Sequence, residues 1–212
     1  MPGVAGGKLI TIEGLDGAGK STLAMALVEA LRERGVPVEL LHEPGGVALA
    51  ERIAELLEDP SQAIGGRAEA LLYAAARAEL VDRRVRPLLG EGSWVLLDRF
   101  ADSSLAYQGA ARELGVGEVR AINLFATGEL VPDRTLLLRV APATGRARLS
   151  IRGEQPDRVE REGERFFERV AFAYEQLARG EPSRVRVLDA EQPSARVLEL
   201  ALLEIEDLLP AA

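Results

Sequence analysis

The stretch EGLDGAGKST at residues 13–22 follows the apolar run LITI, and it limits more than any other segment what this chain can become. Gly14-Leu15-Asp16-Gly17-Ala18-Gly19-Lys20-Ser21 has the spacing G-x-x-x-x-G-K-[ST], with Thr22 next. Glycines at those places let the backbone curl until its N–H groups converge on phosphate oxygens at a helix N-terminus. Lys20 is then expected to reach the β- and γ-phosphates of a nucleotide, and the Ser21 hydroxyl to ligate Mg²⁺. The mechanism needs a strand before the loop and a helix after it. LITIE (9–13) supplies the strand, and a helical pattern runs from about Ser21 to Arg34, where Gly35 stops it.

The same alternation continues along the chain. Strand-like runs occur at VELLHE (38–43), WVLLDR (94–99), TLLLRV (135–140) and VRVLD (185–189). Helical patterns fill 47–58, 67–89, 102–111, 117–127, 142–152, 160–179 and 193–208. Strands alternating with helices predict an α/β fold, a parallel five-stranded sheet covered by helices on both faces. The segment RGEQPDRVEREGER (152–165) is polar with few apolar anchors, so it reads as a lid or as a solvated connection.

Composition restricts the ligand. The net charge of −8 argues against broad nucleic-acid binding, so an anionic ligand must be held by local basic clusters. Those clusters must be built of Arg, because Lys8 and Lys20 are the only lysines. The absence of cysteine excludes thiol catalysis, Cys-ligated zinc and disulfides. With no signal-peptide pattern and no uninterrupted apolar run long enough to span a bilayer, the expected setting is cytoplasmic, without a membrane.

Further candidates follow from spacing. Asp98-Arg99 closes the third strand, at the sheet edge where ligands of parallel sheets bind. Asp98 suits the acidic role at Mg²⁺, direct or through water, and Arg99 can grip a second anion; the alternative is a helix cap beside a surface Arg. Tyr73 and Arg77 lie four residues apart on one helix face, able to take a flat base or, equally, a core Tyr beside a surface Arg. Ser103, Ser104, Tyr107 and Gln108 can hydrogen-bond a base or sugar, or form an ordinary polar helix start. Arg146, Arg148 and Arg152, with Arg158 beyond them, can close over a transferring phosphoryl group or make a solvated face. His42, the sole histidine, reads as a bystander.

In chain order, IEGLDGAGKST, HEPGG, LLYAAARAEL, DRFADSSLAYQG, RARLSIRGEQPDRVE and RFFERVAFAYEQLA resemble the thymidylate kinase family, which makes dTDP from dTMP and ATP. The resemblance runs almost the full chain. It implies the P-loop NTPase fold as one domain over 1–212, a lid at about 148–162, a homodimer, and Mg²⁺ with ATP as donor. Residues 14–22 would bind ATP. By position, Tyr73 would stack on thymine, Arg77 contact the base edge, and Arg99 hold the dTMP phosphate. Ser104, Tyr107 and Gln108 would line the base and deoxyribose, Asp16 would serve the acceptor sugar and nearby water or Mg²⁺, and Glu43 and Pro44 would border that pocket.

Some members of this family carry a catalytic Arg in the phosphate loop and others in the lid. Here the loop has none, so Lys20, Arg99, Arg148 and Arg152 are the expected catalytic set. Two departures stand out: Ser150 interrupts the lid arginines, and Arg139, Ala141 and Ala143 occupy places where relatives often carry acids. A kinase of unphosphorylated deoxynucleosides, using Glu13, Asp16 or Glu43 as base, and a nucleotide-binding switch without turnover are the alternative readings.

Overall fold

The computed structural model describes residues 6–152 and 156–209, with the side chain of Arg152 outside that description. Five strands form in the expected places: β1 (Leu9–Gly14), β2 (Val38–His42), β3 (Trp94–Asp98), β4 (Arg134–Arg139) and β5 (Val185–Asp189). They make one sheet in the order β2-β3-β1-β4-β5, with every neighbouring pair parallel.

A strand buried on both faces sends alternate side chains to opposite sides. In β3, Trp94 and Leu96 join the larger core, and Val95 and Leu97 join the core on the other face. The larger core packs the sheet against α1 (Lys20–Glu33), α8 (Glu164–Gly180) and α9 (Ser194–Glu204). Leu80, Val81 and Val85 cover the opposite face, at and beyond the end of α3 (Gly66–Leu80). A third group, Ala50, Ile53, Leu57 and Ala76, fastens α2 (Ala48–Glu58) to α3.

The expected helix over 67–89 departs from regularity. After Leu80 the ladder widens to a π-helical stretch (Val81–Val85) before α4 (Arg86–Gly90). Pro87 has no N–H for the carbonyl four residues back, which accounts for a disturbed ladder just ahead of it. Similarly, the expected helix over 102–111 is α5 (Ala101–Ser104) running into a π-helical segment, Leu105–Ala111. That segment carries Tyr107 and Gln108, in keeping with the frequent placing of π geometry at functional sites. The remaining helices are α6 (Val116–Thr127) and α7 (Pro142–Arg152), and α9 is followed by a short 3₁₀ turn (Glu206–Leu208). Residues 160–163 lie ahead of α8 rather than within it.

Candidate active site

The site forms beyond the C-terminal ends of β1, β2 and β3, as the parallel sheet requires. Gly14 ends β1 at φ 137°, and a Cβ there would stand 2.5 Å from the Leu138 carbonyl oxygen of β4. Gly17, at φ 76°, allows the loop to meet α7: a Cβ on it would approach Gly145 O to 2.2 Å. Only glycine therefore permits both the turn and the close approach of the phosphate loop to the first turns of α7.

Lys20 opens α1 and is buried. Its Nζ donates to Leu15 O at 3.0 Å and lies 3.6 Å from Asp16 Oδ1. Burial, followed by the neighbouring Arg99, lowers its pKa, while Asp16, Asp98 and Glu13 resist that shift. Ser21 Oγ donates to Asp98 Oδ2 at 2.8 Å, joining the loop's hydroxyl to the end of β3. A hydroxyl and a carboxylate suit Mg²⁺, a hard cation that takes one or two protein oxygens together with substrate phosphates. On the other side of the loop, Gly17, Ala18, Gly19 and Thr22 line a cavity of about 440 Å³ with Arg148 and residues following β5. Arg148 reaches Ala190 O at 3.0 Å and Gly17 O at 3.5 Å, so it lies against the phosphate loop beside this cavity.

Arg99 follows β3 at φ 71°, a conformation uncommon outside glycine. That bend turns its guanidinium back toward β1. It donates to Gly14 O (3.2 Å) and Ser103 Oγ (3.0 Å), pairs tightly with Asp16, and sits 5.2 Å from the centre of the Tyr107 ring. Tyr107 OH donates to the second Asp16 oxygen at 3.1 Å. Burial would raise the Asp16 carboxyl, but Arg99 and Lys20 outweigh it and hold the group well below the usual carboxylate range. Asp16 is thus fixed as an anion between Lys20 and Arg99.

A second cavity, of about 220 Å³, opens beside this pair. Its walls include every acceptor-side residue expected from the sequence: Asp16, Glu43, Pro44, Tyr73, Arg77, Arg99, Ser104, Tyr107 and Gln108. Arg77 differs from a free base-reading group. It is fully buried and bonded to Glu43 Oε2 (2.6 Å), Ser104 Oγ (3.0 Å), Phe100 O (3.1 Å) and Asn123 Oδ1. It therefore braces the pocket wall as well as facing the cavity.

The lid expectation divides. Arg148 meets the phosphate loop, whereas the Arg152 side chain lies outside the described residues. Arg158 is held by protein partners: its Nη1 pairs with buried Glu69 at 2.7 Å and its Nε donates to Leu57 O at 2.9 Å. Arg146 lies 5.9 Å from the Phe167 ring centre. His42 Nε2 faces Glu51 at 3.8 Å on the surface, outside both cavities.

Sequence reading offered Glu13 only as a possible base and missed several other groups. Glu13, 0% exposed, accepts from Phe100 N (2.8 Å), Ser103 Oγ (2.5 Å) and Tyr174 OH (2.8 Å). Burial and the nearby Asp102 push its pKa up to about 7. Glu58 and Asp157 also line the acceptor cavity, and burial raises both carboxyls. Glu69 lies one helical turn before Tyr73, so the stripe Glu69-Tyr73-Arg77 was visible in the spacing had the acid been included.

Comparison with known proteins agrees with this geometry. The thymidylate kinase family model matches residues 12–200. The chain is 46% identical to the thymidylate kinase of Alkalilimnicola ehrlichii over 207 residues, covering 97% of this chain and 94% of that protein. It is 45% identical to that of Symbiobacterium thermophilum (95% and 94% covered) and 47% identical to that of Ectopseudomonas mendocina (97% and 96% covered). Two cavities meeting at one phosphate loop, and likeness over nearly the whole length of these relatives, lead to one conclusion: this chain belongs to the thymidylate kinase family of ATP-dependent phosphotransferases.

Proposed function

We propose that the enzyme transfers the γ-phosphoryl group of ATP in line onto the 5′-phosphate of dTMP, yielding dTDP and ADP on the route to dTTP. The observation that carries this reading is the Lys20–Asp16–Arg99 arrangement. A donor-phosphate cation and an acceptor-phosphate cation are separated by one carboxylate that both contact. Lys20 and the loop amides hold the donor, Arg99 holds the acceptor phosphate, and Tyr73 offers its ring to the base. Ser21 and Asp98 would hold Mg²⁺, which neutralises charge on the donor phosphates. Arg148 and Arg152 stand for the lid charge that stabilises the transferring group.

No general base is required. The second pKa of a phosphate monoester is about 6, so the acceptor is already a nucleophile near pH 7. This disfavours the deoxynucleoside-kinase alternative, which must take a proton from a 5′-hydroxyl. Asp16 is too weak a base, Glu43 is paired through Oε2 with the Arg77 guanidinium, and Glu13 lies outside the cavity lining. A second cavity beside the phosphate loop, lined by polar and charged side chains, likewise speaks for turnover rather than a switch.

Among the described residues no helix is long and apolar enough to cross a membrane; a cytoplasmic setting is supported separately by a chain without cysteine. A homodimer is supported by apolar side chains exposed on three neighbouring helices: Leu49 and Leu56 on α2, Leu71 on α3, and Leu124 and Phe125 on α6, Phe125 being 91% exposed. Sedimentation across a concentration series tests that assembly. ADP release measured with dTMP, dUMP, dCMP, dGMP, AMP and thymidine tests the reaction. Fastest turnover on dTMP is expected, and preference for any other acceptor overturns the assignment.

A further inference from the structure

Glu69 is 0% exposed, and its carboxylate accepts three hydrogen bonds and makes one close ion pair, with three side chains in all. Gln108 Nε2 donates to Oε1 at 2.8 Å, Arg112 donates to both oxygens at 3.2 Å, and Arg158 Nη1 meets Oε2 at 2.7 Å. These contacts engage both carboxylate oxygens. Burial would raise its pKa, but these donors outweigh burial and lower it, so it stays ionised and can only accept. That fixes the Gln108 amide: its NH₂ must point to Glu69, leaving the carbonyl oxygen as the amide atom available to the cavity Gln108 lines. The same carboxylate is tied to the segment between α7 and α8 through Arg158, and through Arg112, which also pairs with Glu162.

We propose that Glu69 is a positioning residue that sets the polarity of the acceptor-base pocket and couples it to the lid. By holding Gln108 with its carbonyl toward the ligand, it selects a base offering a ring N–H at that edge. Pyrimidine-2,4-diones have this N–H at N3; cytosine presents a lone pair there, and two acceptors face to face are repelled. The proposal rests on the acceptor reading above and adds the residue that enforces it. A site built to receive a donor rejects the analogue lacking it far more strongly than shape alone would.

The test compares kcat/KM for dTMP and dCMP in the wild type, Glu69→Gln and Arg158→Met, with folding checked by circular dichroism. Glu69→Gln keeps the shape but can itself donate, so Gln108 is free to turn its NH₂ to the base. The dTMP:dCMP ratio is expected to fall about ten-fold or more, the scale of one lost buried hydrogen bond. Arg158→Met releases one of the two arms to the lid and leaves the Gln108–Glu69 bond in place, so both substrates should suffer together with the ratio unchanged. An unaltered ratio in a folded Glu69→Gln, or an equal loss of selectivity in Arg158→Met, overturns the proposal. If Glu69→Gln does not fold, ¹⁵N-glutamine NMR of the wild type decides. Slow solvent exchange of the Gln108 amide protons supports the fixed orientation, and fast exchange refutes it. Failure of the acceptor reading would be separate: the wild type itself would prefer another monophosphate.

Discussion

Glu13 provides a sharp test of the electrostatics beneath the site. In the fold it is enclosed and bonded to Phe100 N, Ser103 and Tyr174, and its pKa rises from an ordinary 4.5 to about 7. A carboxyl whose folded pKa lies above its unfolded value keeps a proton that the unfolded chain releases. Its contribution is fully present below about 4.5 and is lost as the pH rises through about 7. At about 1.4 kcal/mol per pH unit, the interval from 4.5 to about 7 corresponds to about 3 kcal/mol. Glu13→Gln retains the oxygen that accepts from Phe100 N but cannot titrate. Urea unfolding of both proteins between pH 5 and pH 8 should therefore show the wild type losing about 2–3 kcal/mol relative to the variant as the pH rises. Other titrating groups are common to both and largely cancel. Parallel stability curves would refute the argument, because they would mean Glu13 ionises alike in both states.

Arg77→Met should cost about 3–5 kcal/mol in thermal or urea unfolding, since it strands Glu43, whose side chain is 4% exposed. A variant of wild-type stability would show that the pair is dispensable to the pocket wall. Arg99→Ala should lower kcat/KM for dTMP by about 10² while leaving the KM for ATP nearly unchanged, measured by coupled ADP release. Arg148→Ala should lower kcat about ten-fold or more if its guanidinium acts in the transition state, and an effect confined to the KM for ATP would assign it to donor binding instead. Chelation by EDTA should abolish turnover, with Mg²⁺ restoring it and Ser21→Ala raising the Mg²⁺ concentration required.

Much of this architecture was legible in the chain because its signals are local. The loop spacing, the apolar runs and the helical periods between them determined the phosphate cradle, the five strands and their shared ligand edge. Spacing offered Tyr73, Arg77 and Gln108 beside a plain structural reading, the family resemblance gave them to the acceptor, and one cavity brings them together. What the sequence could not determine was partnership between distant segments. Whether Arg158 covers a phosphate or anchors the lid depends on Glu69, 89 positions away in the chain, being buried within its reach. The sequence offered Glu13 only as a possible base at the end of β1, and the approach of α8 and of the turn after β3 enclosed it. Burial changes the energetics of an ionisable group more than any neighbour in sequence does, and burial is created only when elements pack. The chain thus specified the elements and the chemistry of the phosphate loop. The tertiary structure decided which charges pair, which stay neutral, and which are left to meet the substrates.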